Sequence, residues 1–173
     1  MNATTWADRT TAGAERESFA AAAEAHLDDV YAYLLYMTKD PTVAEDLTGE
    51  TFETALRRWR RYDPRRGSAK TWLCQVARST ALDHLRSERR RRRREELSAP
   101  PERQEERFVS GLSPELEQAV LALSAAEREV IALRVILDVD VESAAQLLGI
   151  SPTACSTRLS RALKKLEEMV TDV

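Results

Sequence analysis

The chain has 173 residues, 43% of them hydrophobic and 32% charged, with a net charge of −3, a composition that suits an ordered soluble protein of one domain or two small ones. No uninterrupted apolar run approaches the ~20 residues of a membrane span, and the start, MNATTWADRTTAGAERE, lacks the apolar core of a secretory signal, so a cytoplasmic protein without membrane insertion is expected. Cys74 and Cys155 are distant and unpaired in sequence, and His26 and His84 have no ligand-like spacing; core packing is the expected role of both cysteines, with no metal and no cofactor.

Residues 1–14 are small and polar and read as disordered. A first helix is expected from about Glu15 to Lys39, with Phe19, Ala22, Ala23, His26, Leu27, Val30, Tyr33 and Leu34 recurring at three- and four-residue intervals as one buried stripe. Asp40-Pro41 closes it and starts a second helix over roughly Thr42 to Arg61, burying Val43, Leu47, Phe52, Leu56 and Trp59. Its acidic first half and basic second half complement the helix dipole. After the turn YDPRRGS, Ser68 is placed to cap a third helix that runs from about Ala69 into the arginine run. In that helix Leu73, Val76, Ala77 and Thr80 face inward, and Gln75, Arg78, Ser79 and Arg86 lie on a wetter side.

The near-neutral total hides a strong asymmetry. Residues 57–94 hold fifteen Lys or Arg against three Asp or Glu, a local charge of +12, so the flanking segments are both acidic. Tryptophan, tyrosine and many arginines on one short stretch suit a surface that touches phosphates and stacks on bases. A solvated charged face is the other reading of such a run. Beyond Arg94, EELSAPPERQEERFVSGLS has adjacent prolines and weak apolar periodicity, so residues 95–112 read as a linker between a larger first domain and a smaller second one.

The second domain opens at Ser113-Pro114 with a helix to about Leu123, and Ser124–Glu127 has the spacing of a capping box. The next helix is expected to bury Val130, Ile131, Leu133 and Ile136. Asp140 then caps a short helix through Leu148, Gly149 makes a tight turn, and Ser151-Pro152 starts a last helix. Cys155, Leu159, Ala162, Leu166 and Met169 form its inner face. At ~100° per residue, Thr153, Thr157, Ser160, Arg161 and Lys164 fall opposite. Two helices joined at a glycine turn, the second polar and basic outside, read as a helix-turn-helix. The fold class expected is all-α: two small helical domains on a flexible linker, the C-terminal one a helix-turn-helix.

In this arrangement the chain resembles the bacterial RNA polymerase sigma factors of the extracytoplasmic-function group. The resemblance rests on AEDLTGETFETALRRW (44–59), WLCQVARSTALDHLR (72–86), LSAAEREVIALRVI (123–136) and AAQLLGISPTACSTRLSRALKKL (144–166). It implies a sigma region 2 over residues 15–94, a linker over 95–112 that threads the polymerase, and a sigma region 4 over 113–173. It further implies a chain that binds core RNA polymerase through the beta-prime clamp helices and the beta flap, recognises minus-ten and minus-thirty-five promoter elements, assists melting and answers to an anti-sigma factor.

Carried over on the matching positions, the resemblance implies polymerase contact by Asp46, Glu50, Phe52, Arg57 and Trp59, although Phe52 and Trp59 are more readily core residues than contacts. Minus-ten DNA would face Tyr62, Arg65, Arg66, Lys70, Trp72, Gln75, Arg78, Ser79, Asp83 and Arg86, with the loop from Tyr62 to Gly67 helping to capture a flipped base. The minus-thirty-five groove would face Thr153, Ala154, Ser156, Thr157, Arg158, Arg161 and Lys164. Arg158 and Arg161 are suited to reading guanine or holding phosphates. Such proteins usually carry glycine at Asp138, a bulky apolar residue at Ala144, a basic one at Ser156 and asparagine at Ser79, departures that bear on promoter sequence. No paired carboxylates, nucleophile–base pair or phosphate-cradling glycine loop points to an enzyme. The alternative is a helix-turn-helix regulator that acts without being a polymerase subunit.

Overall fold

The computed structural model describes residues 18–95 and 113–171. The expected disordered residues 1–14, and all of the expected linker except Glu95, lie outside them. Among the described residues all regular structure is helical. Short polar side chains that satisfy the first-turn amides set most helix starts. Ser18 accepts from the Ala21 amide at 3.2 Å and opens α1 (Phe19–Thr38). Lys39, with φ 61°, takes the left-handed conformation and closes it through a bond to the Leu35 carbonyl. Asp40 accepts from the Val43 amide at 3.1 Å to start α2 (Pro41–Arg58), where Pro41 occupies a position that needs no amide donor. A 3₁₀ turn, Trp59–Arg61, ends α2, and Ser68 caps α3 (Ala69–Glu95) by accepting from the Thr71 amide at 3.1 Å.

In α2 the buried Ala44, Leu47, Thr48, Thr51 and Ala55 lie on one face toward α1 and α3. Leu56, expected inside, is 59% exposed. It lies about 180° around the helix from Leu47, so spacing alone places it outside. Leu27 of the α1 stripe is also exposed, and nothing in the structure explains a leucine there. The inner face of α3 is as expected, with Leu73, Val76, Ala77 and Thr80 all buried.

The second half comprises α4 (Pro114–Ala122), α5 (Ala125–Ile131), a π turn (Ala132–Ile136), α6 (Val141–Leu148) and α7 (Pro152–Thr171). Ser124 and Glu127 form the reciprocal capping box: the Glu127 amide reaches Ser124 Oγ at 3.3 Å and the Ser124 amide reaches Glu127 Oε2 at 2.7 Å. The π turn overturns one expectation. Its wider loop, marked by the Leu137 amide on the Ala132 carbonyl at 2.9 Å, shifts the helical register by one residue. Ile136 therefore points outward at 41% exposure, and Leu137 and Val139 are buried instead. Asp138, between them, adopts φ 49°, a left-handed position that aspartate tolerates better than most residues.

Asp140 caps α6, accepting from the Ser143 amide at 2.8 Å. Gly149, at φ 67°, makes the left-handed turn, and Ser151 accepts from the Ala154 amide at 3.2 Å as α7 begins. Cys155 and Ala162 are fully buried against the preceding helices, and α7 packs on α4, α5 and α6. The two halves also meet. α1 packs against α5 and the π turn, and one continuous set of buried side chains runs from Val30, Tyr33 and Leu34 through Leu73 to Val130, Leu133 and Ala162.

The capping bonds hold the Glu127 carboxyl below its ordinary range, with the Ser124 amide the main cause and Lys165, at 3.3 Å, a lesser one. A depressed carboxylate stabilises the fold above its unfolded pKa, and that contribution is lost as pH falls through the folded value. Ser124→Ala should cost about 1 kcal/mol in urea unfolding at neutral pH. Glu127→Gln should lower neutral-pH stability while making the loss of stability below the ordinary glutamate range shallower than in the parent.

The thiols give a second expectation. Burial, and then the Asp29 carboxylate, push Cys74 up to about 12, and burial also raises Cys155. Both should resist a disulfide-exchange reagent at mildly alkaline pH in the folded chain and titrate fully in denaturant. Fast reaction before unfolding would contradict their packing.

Candidate nucleic-acid and polymerase interface

Three surfaces carry the residues singled out from the sequence. On the outer face of α2, Asp46, Glu50 and Arg57 are all exposed at four- and seven-residue intervals. Arg57 pairs with Glu53 at 3.3 Å, and the exposed Leu56 supplies an apolar spot beside them. Phe52 and Trp59 are not on this stripe. Both are half-buried and pack edge-on to Phe19, with ring centroids 6.4 and 5.5 Å away.

The second surface is a groove of about 550 Å³ beside α3. Tyr62, Arg66, Trp72, Gln75, Arg78, Ser79, Asp83 and Arg86 line it, with Arg61 and Asp63, and Ser143, Gln146 and Leu147 of α6 form the far wall. Arg65 and Lys70 are not among its lining residues. The loop before α3 is ordered by Asp63, whose carboxylate accepts from the Arg65 amide and whose carbonyl accepts from the Arg66 amide, each at 3.0 Å. That leaves the Arg65 and Arg66 side chains exposed. Lys70 is bound to Asp29 of α1 at 3.3 Å, and Asp29 also holds His26 at 3.0 Å. Arg86 pairs with Asp83 at 3.1 Å, both well exposed, an arrangement worth little in water.

Aromatic packing sets the availability of the rings. Tyr62 is 7% exposed and stacks on Trp59 at 4.6 Å, and Trp72 meets both, 5.5 Å from Trp59 and 5.8 Å from Tyr62. Tyr62 therefore contributes mainly an edge to the groove, while the half-buried Trp72 offers more of its surface.

The third surface is an open groove, also of about 550 Å³, between the start of α5 and the outer face of α7. Thr153, Ala154, Thr157, Arg158 and Arg161 line it with Ser124 and Glu127. Ser156 is exposed outside this lining, and Lys164 pairs with Glu168 at 3.7 Å further along α7. Short polar groups and two guanidiniums on a convex helix suit a duplex groove, where arginine supplies forked donors.

A polar cluster that the sequence pattern did not single out joins the two halves. Glu129 of α5 is buried, and its Oε1 accepts from Tyr33 Oη at 2.9 Å and from Arg78 Nε at 2.7 Å. Burial, and next the Glu129 charge, raise the Tyr33 hydroxyl well above its ordinary range. Arg128 donates to the carbonyls of Tyr36 and Leu123. The signal available in the sequence was the phase of Glu129, one turn before Leu133 on an inward face. Among the described residues, no group of three or more His, Cys, Asp or Glu could hold a metal ion, and no helix is long and apolar enough to cross a membrane.

A three-helix unit followed by a helix-turn-helix unit, each with a basic or mixed-charge outer face, defines a two-module all-α class of protein. Residues 22–91 match the Sigma-70 region 2 family and residues 113–166 match Sigma-70, region 4. The chain is 30% identical to the ECF RNA polymerase sigma factor BldN of Streptomyces coelicolor over 176 residues, covering 95% of this chain but only 64% of BldN. It is also 30% identical to SigX of Bacillus subtilis over 162 residues, covering 88% of this chain and 83% of SigX. Its fold is similar to that of the sigma factor RpoE of Bartonella quintana, solved with the anti-sigma factor NepR, at a TM-score of 0.73 and 22% identity over 86% of this chain and 94% of that one. The chain belongs to the ECF RNA polymerase sigma factors.

The aromatic stack yields a stability test. Tyr62→Ala should lower the unfolding free energy by about 3 kcal/mol, in the range for deleting a buried aromatic ring. Tyr62→Phe, which keeps the stack, should cost about 1 kcal/mol or less. Similar losses for the two would mean that the hydroxyl, not the ring, holds the loop.

Proposed function

We propose that this chain is an alternative sigma subunit, which binds core RNA polymerase, directs it to particular promoters and assists opening of the duplex, with no catalytic step of its own. The observation that carries this reading is the presence of both sigma regions, in order, on one chain. Under it, residues 15–94 form region 2, 95–112 the connecting segment and 113–173 region 4, and the protein works in the cytoplasm.

The division of labour follows the three surfaces. Asp46, Glu50 and Arg57, with exposed Leu56, make a charge-complementary dock for the beta-prime clamp helices, and region 4 meets the beta flap. Phe52 and Trp59 support that dock from within. The groove beside α3 takes the minus-ten strand: its guanidiniums track phosphates while Trp72 and the edge of Tyr62 border an unstacked base. Arg65 and Lys70 extend the positive track beyond the groove. Thr153, Ala154, Ser156, Thr157, Arg158, Arg161 and Lys164 serve the minus-thirty-five element, where Arg158 and Arg161 are the principal base or phosphate contacts. A protein anti-sigma partner fits the same reading, since the similar RpoE is held by NepR.

Run-off transcription with purified core polymerase tests the function, and failure to initiate on any genomic template would remove it. Arg158→Ala combined with Arg161→Ala should weaken use of the upstream element while leaving polymerase pull-down unchanged. The salt slope of promoter binding should fall by about 0.9 for each phosphate that the variant no longer neutralises. Equal loss of polymerase capture would contradict the division of labour.

A further inference from the structure

Past its packed part, α3 continues as a cationic rod. Leu85 and Glu88 are still half-buried, whereas Arg89 to Arg94 are all exposed. At ~100° per residue those six positions pass more than once around the axis, so among the described residues no other element covers any side of this stretch. Arg91 meets Glu88 at 2.9 Å and Arg94 Nε donates to the Arg90 carbonyl at 3.3 Å, both within the helix itself. Among the described residues, no ion pair engages Arg89, Arg90, Arg92 or Arg93. The run straddles residue 91, where the match to region 2 ends.

We propose that Arg89 to Arg94 form a further DNA site, an arginine rod that lies in the major groove of paired B-form DNA and holds phosphates of both strands without reading sequence. The inference rests on the reading of the groove beside α3 as the minus-ten track. Arg86 lines that groove, and Arg89 follows about one turn further along the same axis. A strand seated in the groove must rejoin its complement at either end, and the rod stands at one of those ends.

Geometry selects the ligand. A helix with its side chains is about 10–12 Å across, and the major groove of B-form DNA is about 12 Å wide with phosphates along both walls. Cations on every side of a rod can then each meet an anion. A flat anionic surface such as a membrane would engage one side and leave the other in water, and a single strand offers one line of phosphates. Duplex RNA fails on shape, because its major groove is deep and narrow. The charge also matches: six residues span about 9 Å of helix axis, and duplex DNA presents about five phosphates over that length. Arginine forks suit phosphate oxygens. Six identical side chains carry no pattern that a base sequence could match.

Two full-length variants test the rod from opposite sides. Arg89→Gln with Arg93→Gln removes charge about 150° around the axis from Arg91→Gln with Arg94→Gln. Binding is read by fluorescence anisotropy at low salt with a labelled DNA duplex of arbitrary sequence, a duplex RNA of the same sequence and an oligothymidine, and by flotation with anionic vesicles. The parent should hold the DNA duplex most tightly of the four. Each double variant should weaken that hold at least about fivefold and lower its salt slope by about 1.8, or ~0.9 for each phosphate no longer neutralised. Weakening by one variant alone, unchanged binding in both, or an equally tight hold on RNA, oligothymidine or vesicles overturns the site. Glutamine is nearly as good a helix former as arginine. Should a variant still lose helical signal, lysine at the same two positions must keep duplex affinity within about threefold, and a larger loss overturns the site as well. These titrations contain no polymerase. Duplex binding that depends on the rod, in a chain inactive in run-off transcription, therefore upholds the site while removing the proposed function. An active chain whose duplex binding ignores both variants removes the site alone.

Discussion

A carboxylate taken out of water must be paired, and among the described residues the side-chain partners of Glu129 lie across the boundary between the two halves. That requirement fixes how α5 lies on α1 and α3. Tyr33, wholly buried in α1, has to present its hydroxyl toward α5, and Arg78 has to bend inward from the wetter side of α3. Apolar packing alone would permit α5 to slide on α1, since a surface of leucine and valine distinguishes poorly between neighbouring registers. The two directional bonds remove that freedom. They also explain why Arg128, one residue earlier, is buried: its guanidinium satisfies the Tyr36 and Leu123 carbonyls at the same junction.

Within each half, helix ends rather than helix middles carry most of the specification. Ser18, Asp40, Ser68, Ser113, Ser124, Asp140 and Ser151 each accept from an amide in the first turn that follows. These residues favour caps over interiors because their short side chains compete with the backbone for hydrogen bonds. The grooves inherit their shape from these ends. One lies where the Asp63 turn delivers the chain into α3, and the other lies where Ser124 and Ser151 start α5 and α7 side by side.

Six of those seven caps, Ser18 apart, were legible as serine or aspartate ahead of an apolar period. So were the inner faces of α3 and α7, because their spacing repeats without interruption. What resisted reading were features set by packing between distant segments or by irregular backbone. Ile136 fits a simple helical period, but the π turn adds a residue and hands its inward place to Leu137. Tyr62 reads as an exposed loop aromatic until Trp59 and Trp72 close around it. Arg78 reads as one more cation on a wet face, since nothing within its own helix announces a carboxylate 51 residues away. Leu56 is a different case: its angle from Leu47 was available from spacing, and its apolar side chain alone suggested an inward place.

The arginine run shows the same tension between local cost and distant use. Arg89 to Arg94 are all exposed on the last turns of α3, where like charges three and four residues apart repel. Glu88, which pairs with Arg91 at 2.9 Å, and the helix dipole, which favours cations at a C-terminus, offset part of the repulsion locally. Neither neutralises six charges on about two turns of helix. Under the proposed function a polyanion lying alongside would remove the remaining repulsion and release its own counterions, so the density that weakens the helix in isolation would strengthen a hold on nucleic acid as salt falls. Because the run continues the same helix that lines the groove, that gain would be delivered on the axis of Gln75, Ser79 and Arg86 rather than at an unrelated surface.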